Sequence, residues 1–159
     1  MVERFGALSL VMLNDTPLSP AWRLNFLANF FTGPVYRELE QRTGLSRAEF
    51  VILFSLSQRS GLVARDICLV TGLPKNSISR AVSTLLARKL IERRPDAGDK
   101  RAKLLALTAE GRALLDQAVP LFEARQSAMR AALTAEEAAQ FDALLAKMID
   151  AMPGWVGAE

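Results

Sequence analysis

Histidine is absent from this 159-residue sequence, and cysteine and tyrosine occur once each, as Cys68 and Tyr36. The missing imidazole removes Ser-His and Cys-His nucleophile pairs, and one thiol is too few for a zinc site of the usual Cys/His kind. A single cysteine also excludes an internal disulfide framework and fits a reducing compartment. No glycine-rich phosphate loop and no convincing carboxylate pair is present, which argues against an enzyme. Long hydrophobic runs are missing too. The apolar stretch FGALSLVMLN is too short to span a bilayer, starts with mixed charge and has no clear small-residue cleavage site. It therefore reads as neither membrane anchor nor signal peptide, and a cytoplasmic location is expected. No solenoid repeat appears.

What is present is a local excess of positive charge. The formal net charge is only +3, but Ser60 to Leu107 carries ten basic residues against four acidic ones. That segment is +6 and the remaining chain is −3, the localised footprint expected of a polyanion-binding element. The stretch RRPDAGDKRAKLLALT, Arg93 to Thr108, is the densest part.

Most of the chain reads as helix, divided by capping signals. Ser19-Pro20 is a plausible N-cap and first-turn proline for a helix that carries Trp22, Phe26, Leu27, Phe30 and Phe31. Gly33-Pro34 is expected to kink or interrupt it, and Gly44 to end it. The N-terminal fourteen or so residues are open between a disordered tail and a dimer arm. Ser46 and Glu49 form a capping box for a second helix expected to bury Phe50, Leu53, Phe54 and Leu56 or their neighbours. A short helix from about Val63 to Thr71 closes at Gly72, and Pro74 pre-sets the backbone for the next, up to about Lys89. There Ile78, Val82, Leu85 and Leu86 form one apolar stripe. The opposite face holds Asn76, Arg80, Ser83 and Thr84, with Ser77 at its edge and Ser79 at its side. LIERRP and RAKLLAL then flank the turn signal DAGD as a β-hairpin, with imperfect alternation because Leu104 and Leu105 are adjacent. Thr108 caps a long helix to about Arg130, expected to bend near Pro120. A second capping box, Thr134 to Glu137, starts the last helix, with Phe141, Leu144, Leu145, Met148 and Ile149.

Helix, tight glycine turn, amphipathic helix and basic hairpin is the order of a winged helix-turn-helix. A helix about 10–12 Å wide fits the roughly 12 Å major groove of B-DNA. Asn can pair with adenine and Arg with guanine, while Ser and Thr reach bases or phosphates. Asn76, Ser77, Ser79, Arg80, Ser83 and Thr84 are the candidate reading residues. Arg93, Arg94, Lys100, Arg101 and Lys103 are the candidate cations for the backbone or the minor groove, where negative potential favours Arg. Taken singly, a polar helix face is usually just solvated and a charged hairpin just soluble. Their order and coincidence with the +6 segment favour double-stranded DNA as the partner.

Residues 46–112 resemble the MarR family of bacterial transcriptional regulators. The similarity lies in the wing, where Asp99-Lys100-Arg101 stands for an Asp-Arg-Arg tip and Leu105, Leu107, Thr108 and Gly111 continue the family's Leu-x-Leu-Thr-x-x-Gly run. The resemblance implies a mainly α fold with a small hairpin wing, and a homodimer built from the terminal helices that straddles a pseudo-palindromic operator. Residues 1–45 and 108–159 would then serve dimerisation, and 46–107 would form the DNA-binding lobe. By the same resemblance Asp99 positions the wing and Arg101 enters the minor groove. Lys100 departs from the family's Arg and loses planar, bidentate contacts. Val63 stands where a Ser or Thr often caps a helix.

Relatives of this kind are often released from DNA by small aromatic or phenolic molecules. Trp22, Arg23, Phe26, Phe30, Tyr36 and Phe54 are the candidate lining of such a pocket, with Arg23 available for a carboxylate, against the plainer reading of core or dimer interface. Cys68 invites a redox role, but a small residue is wanted for packing there. No cofactor or metal is expected. The expected activity is a dimeric, sequence-specific repressor or activator. The alternative is a winged-helix interaction module whose basic wing binds an acidic protein.

Overall fold

The computed structural model describes residues 2–95 and 103–156. In chain order these form α1 (Val2–Asn14), α2 (Ser19–Thr43), α3 (Arg47–Gln58), α4 (Ala64–Thr71), α5 (Lys75–Ala87), β1 (Ile91–Pro95), β2 (Lys103–Leu107), α6 (Ala109–Arg130) and α7 (Ala135–Asp150). A 3-10 turn follows at Met152–Gly154. The mainly α fold with one small hairpin is the expected one. The chain divides into two compact units, Met1–Phe122 and Glu123–Glu159.

In the first unit the ambiguous N-terminal segment is helical, with a break at Gly6, whose φ of 79° lies outside helical space. Ser19 does not cap α2 as expected. It is the first helical residue, and its buried hydroxyl turns back to donate to the Met12 carbonyl at 3.3 Å while accepting from the Thr16 amide at 3.1 Å. Nor is α2 interrupted at Gly33-Pro34; it runs unbroken from Ser19 to Thr43. A proline disfavours helical geometry in the residue before it partly through that residue's Cβ, and Gly33 has none. Gly44 does end the helix, in the left-handed conformation (φ 65°), its amide donating to the Glu40 carbonyl at 2.9 Å.

The α3 capping box is present: Ser46 Oγ accepts from the Glu49 amide at 3.3 Å, and Glu49 Oε2 accepts from the Ser46 amide at 2.7 Å. This helix buries Phe50, Ile52, Leu53 and Leu56. Phe54 stays exposed, because it lies on the outer side of Phe50, stacked at 5.8 Å. The core continues through Ile67, Ile78, Val82, Leu85, Ile91, Leu105, Leu115 and Ala118.

β1 and β2 pair antiparallel, with Ile91 opposite Leu107 and Pro95 opposite Lys103. Leu62 bridges the other edge of β2, its carbonyl accepting from the Leu105 amide at 2.9 Å. β2 thus has a partner on each edge, and Leu105 and Ala106, which point to opposite faces, are both buried, so the alternation fails. α6 grows from the wing. Thr108 Oγ1 accepts from the Gly111 amide at 3.0 Å and donates to the Lys89 carbonyl at 2.8 Å. The helix continues through Pro120 to Arg130.

In the second unit the Thr134–Glu137 box opens α7, and Arg130 forks onto both Asp142 oxygens at 2.8 Å. Leu144, Met148 and Ile149 of α7 are exposed in the single chain.

Candidate nucleic-acid interface

The site is built from the α4–turn–α5 segment and the wing. Val63 cannot cap α4 with its side chain, and the helix is started from the other end of the box: Asp66 Oδ2 accepts from the Val63 amide at 3.0 Å. At the turn Thr71 Oγ1 donates to the Ile67 carbonyl at 2.6 Å and accepts from the Leu73 amide at 3.3 Å. Gly72 takes φ 63° with nothing near a would-be Cβ, so conformation rather than space requires glycine. Pro74, extended at φ −58° and ψ 140°, then accepts the first amides of α5, from Ser77 at 2.9 Å and Ile78 at 3.1 Å.

α5 buries Ile78, Ala81, Val82 and Leu85 against the lobe. Asn76, Ser79, Arg80, Ser83 and Thr84 are exposed on the other side and Ser77 is half-buried. The outward face bears no acidic side chain and has Lys75 at its N-terminal end, an arrangement favourable to anions. Ser83 Oγ donates to the Ser79 carbonyl at 3.1 Å and Thr84 Oγ1 to the Arg80 carbonyl at 3.2 Å. Arg80 Nε rests on the Asn76 carbonyl at 3.4 Å. These are bonds within one helix turn, and a side-chain rotation re-aims each group outward. Ser77, Arg80 and Thr84 also border a shallow cleft against Ser46 and Glu49 of about 380 Å³.

On the wing, Arg93, Arg94 and Lys103 are exposed. Arg94 is ion-paired with Glu92 at 2.6 Å, two residues back on the same side of β1. Asp99, Lys100 and Arg101 lie outside the described residues. Two basic residues of the +6 segment behave differently from the rest. Arg88 is exposed, but its guanidinium lies back against the protein, with Nη1 donating to the Gly44 carbonyl at 3.0 Å and Nη2 to the Thr43 carbonyl at 3.4 Å. Lys89 takes a left-handed φ of 57° and ends the helix. The sequence reading missed the role of Arg88; the available signal was its spacing, seven residues after buried Ala81 and so on the inner side of α5.

The candidate effector residues are spread over several surroundings. Arg23 ties α1 to α2, donating to the Leu13 carbonyl at 2.7 Å and Asn14 Oδ1 at 3.0 Å. Trp22 borders a shallow depression with Leu18, Ala21 and Asn25. Phe26 and Phe30 contact each other at 4.5 Å. Tyr36 meets Phe50 and Phe122 edge-on, with the Arg47 guanidinium 5.3 Å from its ring. Burial raises the Tyr36 phenol above its usual pKa, with the Arg47 charge opposing. Phe54 borders a separate groove of about 810 Å³ between α3 and α4 with Val51, Leu69 and Val70. Trp22 and Phe54 thus border two different cavities. Cys68 is half-buried and packed against the core. No helix among the described residues is long and apolar enough to cross a membrane.

Two helices joined by a tight turn, the second with a solvent-facing polar side, and a two-stranded wing define a winged helix-turn-helix. The MarR family pattern matches residues 37–102. The transcriptional regulator PetP of Rhodobacter capsulatus is 32% identical over 149 residues, covering 91% of this chain and 87% of that one. The transcriptional repressor NicR of Pseudomonas putida is 32% identical over 106 residues, 67% of each chain. Among solved structures, Staphylococcus aureus MepR bound to DNA superposes with a TM-score of 0.73 at 25% identity, over 85% of this chain and 97% of that one. Bordetella bronchiseptica BpsR, whose DNA binding is regulated by 6-hydroxynicotinic acid, gives 0.62 at 27% identity, over 79% and 98%. The chain belongs to the MarR family and is a DNA-binding transcriptional regulator.

Proposed function

We propose that the protein is a cytoplasmic homodimeric repressor that reads a pseudo-palindromic operator. The observation that carries this reading is the α5 face: Asn76, Ser79, Arg80, Ser83 and Thr84 point to solvent from a helix whose inner stripe is locked in the core. They read base edges, with Ser77 at the margin, while Arg93, Arg94 and Lys103 reach phosphates. At the tip, Lys100 and Arg101 carry the groove charge and Asp99 holds the wing. Dimerisation is supported by the apolar surface that each unit leaves uncovered, Trp22, Leu27 and Phe30 on α2 and Leu144, Met148 and Ile149 on α7. A two-fold dimer sets half-sites about 34–36 Å apart, one DNA turn. Repression is supported by the NicR relative, a transcriptional repressor, and control by a small aromatic acid by BpsR, whose DNA binding 6-hydroxynicotinic acid regulates. Such an effector acts only through different affinities for the DNA-competent and incompetent conformations.

The test is selection of bound fragments from the source genome at physiological salt, then anisotropy titration of the best fragment against a scrambled duplex. An enriched inverted repeat with strong preference over the scramble supports the reading. Equal, purely salt-controlled binding to all fragments, or no binding, refutes it and favours an acidic protein as partner of the wing.

A further inference from the structure

Arg88 belongs to the +6 segment of the chain, yet its side chain is committed to the protein. Its guanidinium reaches two elements from the C-cap position of α5, the helix proposed to read DNA. It donates to the carbonyls of Gly44 at 3.0 Å and Thr43 at 3.4 Å, which close α2, and it lies 3.7 Å from Glu49 Oε1 in the first turn of α3. Glu49 is itself buried and pinned, because its other oxygen accepts from the Ser46 amide. The adjoining residues are held just as firmly. The Lys89 carbonyl accepts from Thr108 Oγ1 at 2.8 Å and the Leu90 carbonyl from the Thr108 amide at 3.2 Å, and both bonds lead into α6. The C-terminal end of α5 is thus tied to the end of α2 through Arg88 and to the start of α6 through Thr108.

We infer that Arg88 is a positioning residue: it couples the end of α2 to the angle at which the recognition helix is presented, and takes no part in contacting DNA. The inference rests on the DNA-reading function proposed above. Its physical basis is that a planar guanidinium with several fixed donors holds two carbonyls and a carboxylate in one geometry, which a lysine ammonium on a flexible stem does not. Loosening it leaves the α5 side chains and the phosphate-facing cations in place but spreads the orientation of the helix. Base-edge contacts, which require aligned geometry, suffer first, and backbone attraction is spared.

The test is anisotropy titration of Arg88→Gln and Arg88→Lys against the selected operator and a scrambled duplex over a range of salt, at a temperature where circular dichroism shows each variant folded. The expected result is a roughly tenfold loss of operator affinity in both variants, about the weight of one charge-assisted hydrogen bond. Scrambled-DNA affinity and the salt slope should stay at wild-type values. In Arg88→Gln, which removes the charge, a loss shared equally by operator and scramble with the slope flattened by about 0.9 would make Arg88 a phosphate contact and overturn the inference. Unchanged operator affinity would overturn it as well. If Arg88→Gln does not fold, Arg88→Lys with Glu49→Gln completes a double-mutant cycle, in which the coupling requires non-additive losses of operator preference and additive losses refute it. A wild-type protein with no operator preference refutes instead the DNA-reading function on which this inference rests.

Discussion

Gly111, in the first turn of α6, offers a sharp test of how the wing is joined to the helix that follows it. A Cβ at this position would lie 1.9 Å from the Leu90 carbonyl oxygen, 2.9 Å from the Leu90 carbonyl carbon and 3.2 Å from a Leu107 methyl. The obstructing atoms are backbone, and the Leu90 carbonyl is held by its bond from the Thr108 amide at 3.2 Å. They cannot swing aside as a side-chain tip would. Two effects oppose each other in Gly111→Ala. Helix propensity favours alanine by about 0.8–1.0 kcal/mol. Relieving the overlap requires the wing's first strand to move off α6 by more than an ångström, and overpacking of this sort costs about 1–3 kcal/mol, occasionally more. With rigid backbone on one side the steric cost sits at or above the top of that range, so the net effect is a loss of about 2 kcal/mol. For a chain of this size that lowers Tm by roughly 4–8 °C. The assay is thermal unfolding followed by circular dichroism, with wild type and variant at equal concentration, because dimerisation makes Tm concentration-dependent. A variant with raised Tm would show propensity prevailing, and the close approach of α6 to Leu90 would be refuted.

Three further outcomes are expected. Leu85→Ala removes a fully buried side chain from the inner stripe of α5 and should destabilise the protein by about 2–5 kcal/mol; denaturant unfolding with a smaller loss would show that the stripe is not core. Arg80→Ala should reduce preference for operator over scrambled DNA by about 1–3 kcal/mol, and retained discrimination in anisotropy titration would remove Arg80 from the reading face. Hydrogen bonds from the Thr134 backbone amide, and then from its hydroxyl, hold the Glu137 carboxyl below its ordinary pKa of 4.5. Because this pKa is depressed on folding, the cap's contribution is present above the unfolded-state pKa and fades as pH falls through the lower folded value. A Glu137 midpoint at or above 4.5 in an NMR carboxyl titration would contradict the capping box.

Much of the fold was legible because its punctuation is local. Ser46 with Glu49, and Thr134 with Glu137, cap helices through bonds between residues three apart, and Gly44 and Gly72 stop helices by adopting a backbone conformation that costs other residues energy. The features that were not legible depend on neighbours remote in sequence. Ser19 looks like a cap until α1 is in place to offer the Met12 carbonyl. The adjacent leucines 104 and 105 spoil the alternation of a one-sided hairpin, and the Leu62 bridge on the far edge of β2, 43 residues away from Leu105 in sequence, left no mark in the pattern.

The candidate interface was legible in its types of residue and less so in its arithmetic. A count of ten basic residues between Ser60 and Leu107 treats every cation as available to DNA. The structure divides them. Arg88 spends its donors on the end of α2, and Arg94 is paired with Glu92 on the wing. The two commitments differ in consequence. The Arg94–Glu92 pair is exposed on both sides, is worth little against water, and yields to a phosphate at small cost. Arg88 bonds two helix-ending carbonyls and lies 3.7 Å from the buried Glu49 carboxylate, so pulling it away gives up three contacts at once. The salt dependence of operator binding should therefore count Arg94 and leave Arg88 out, and its slope measures how the charge of this segment is shared between holding the fold and holding DNA.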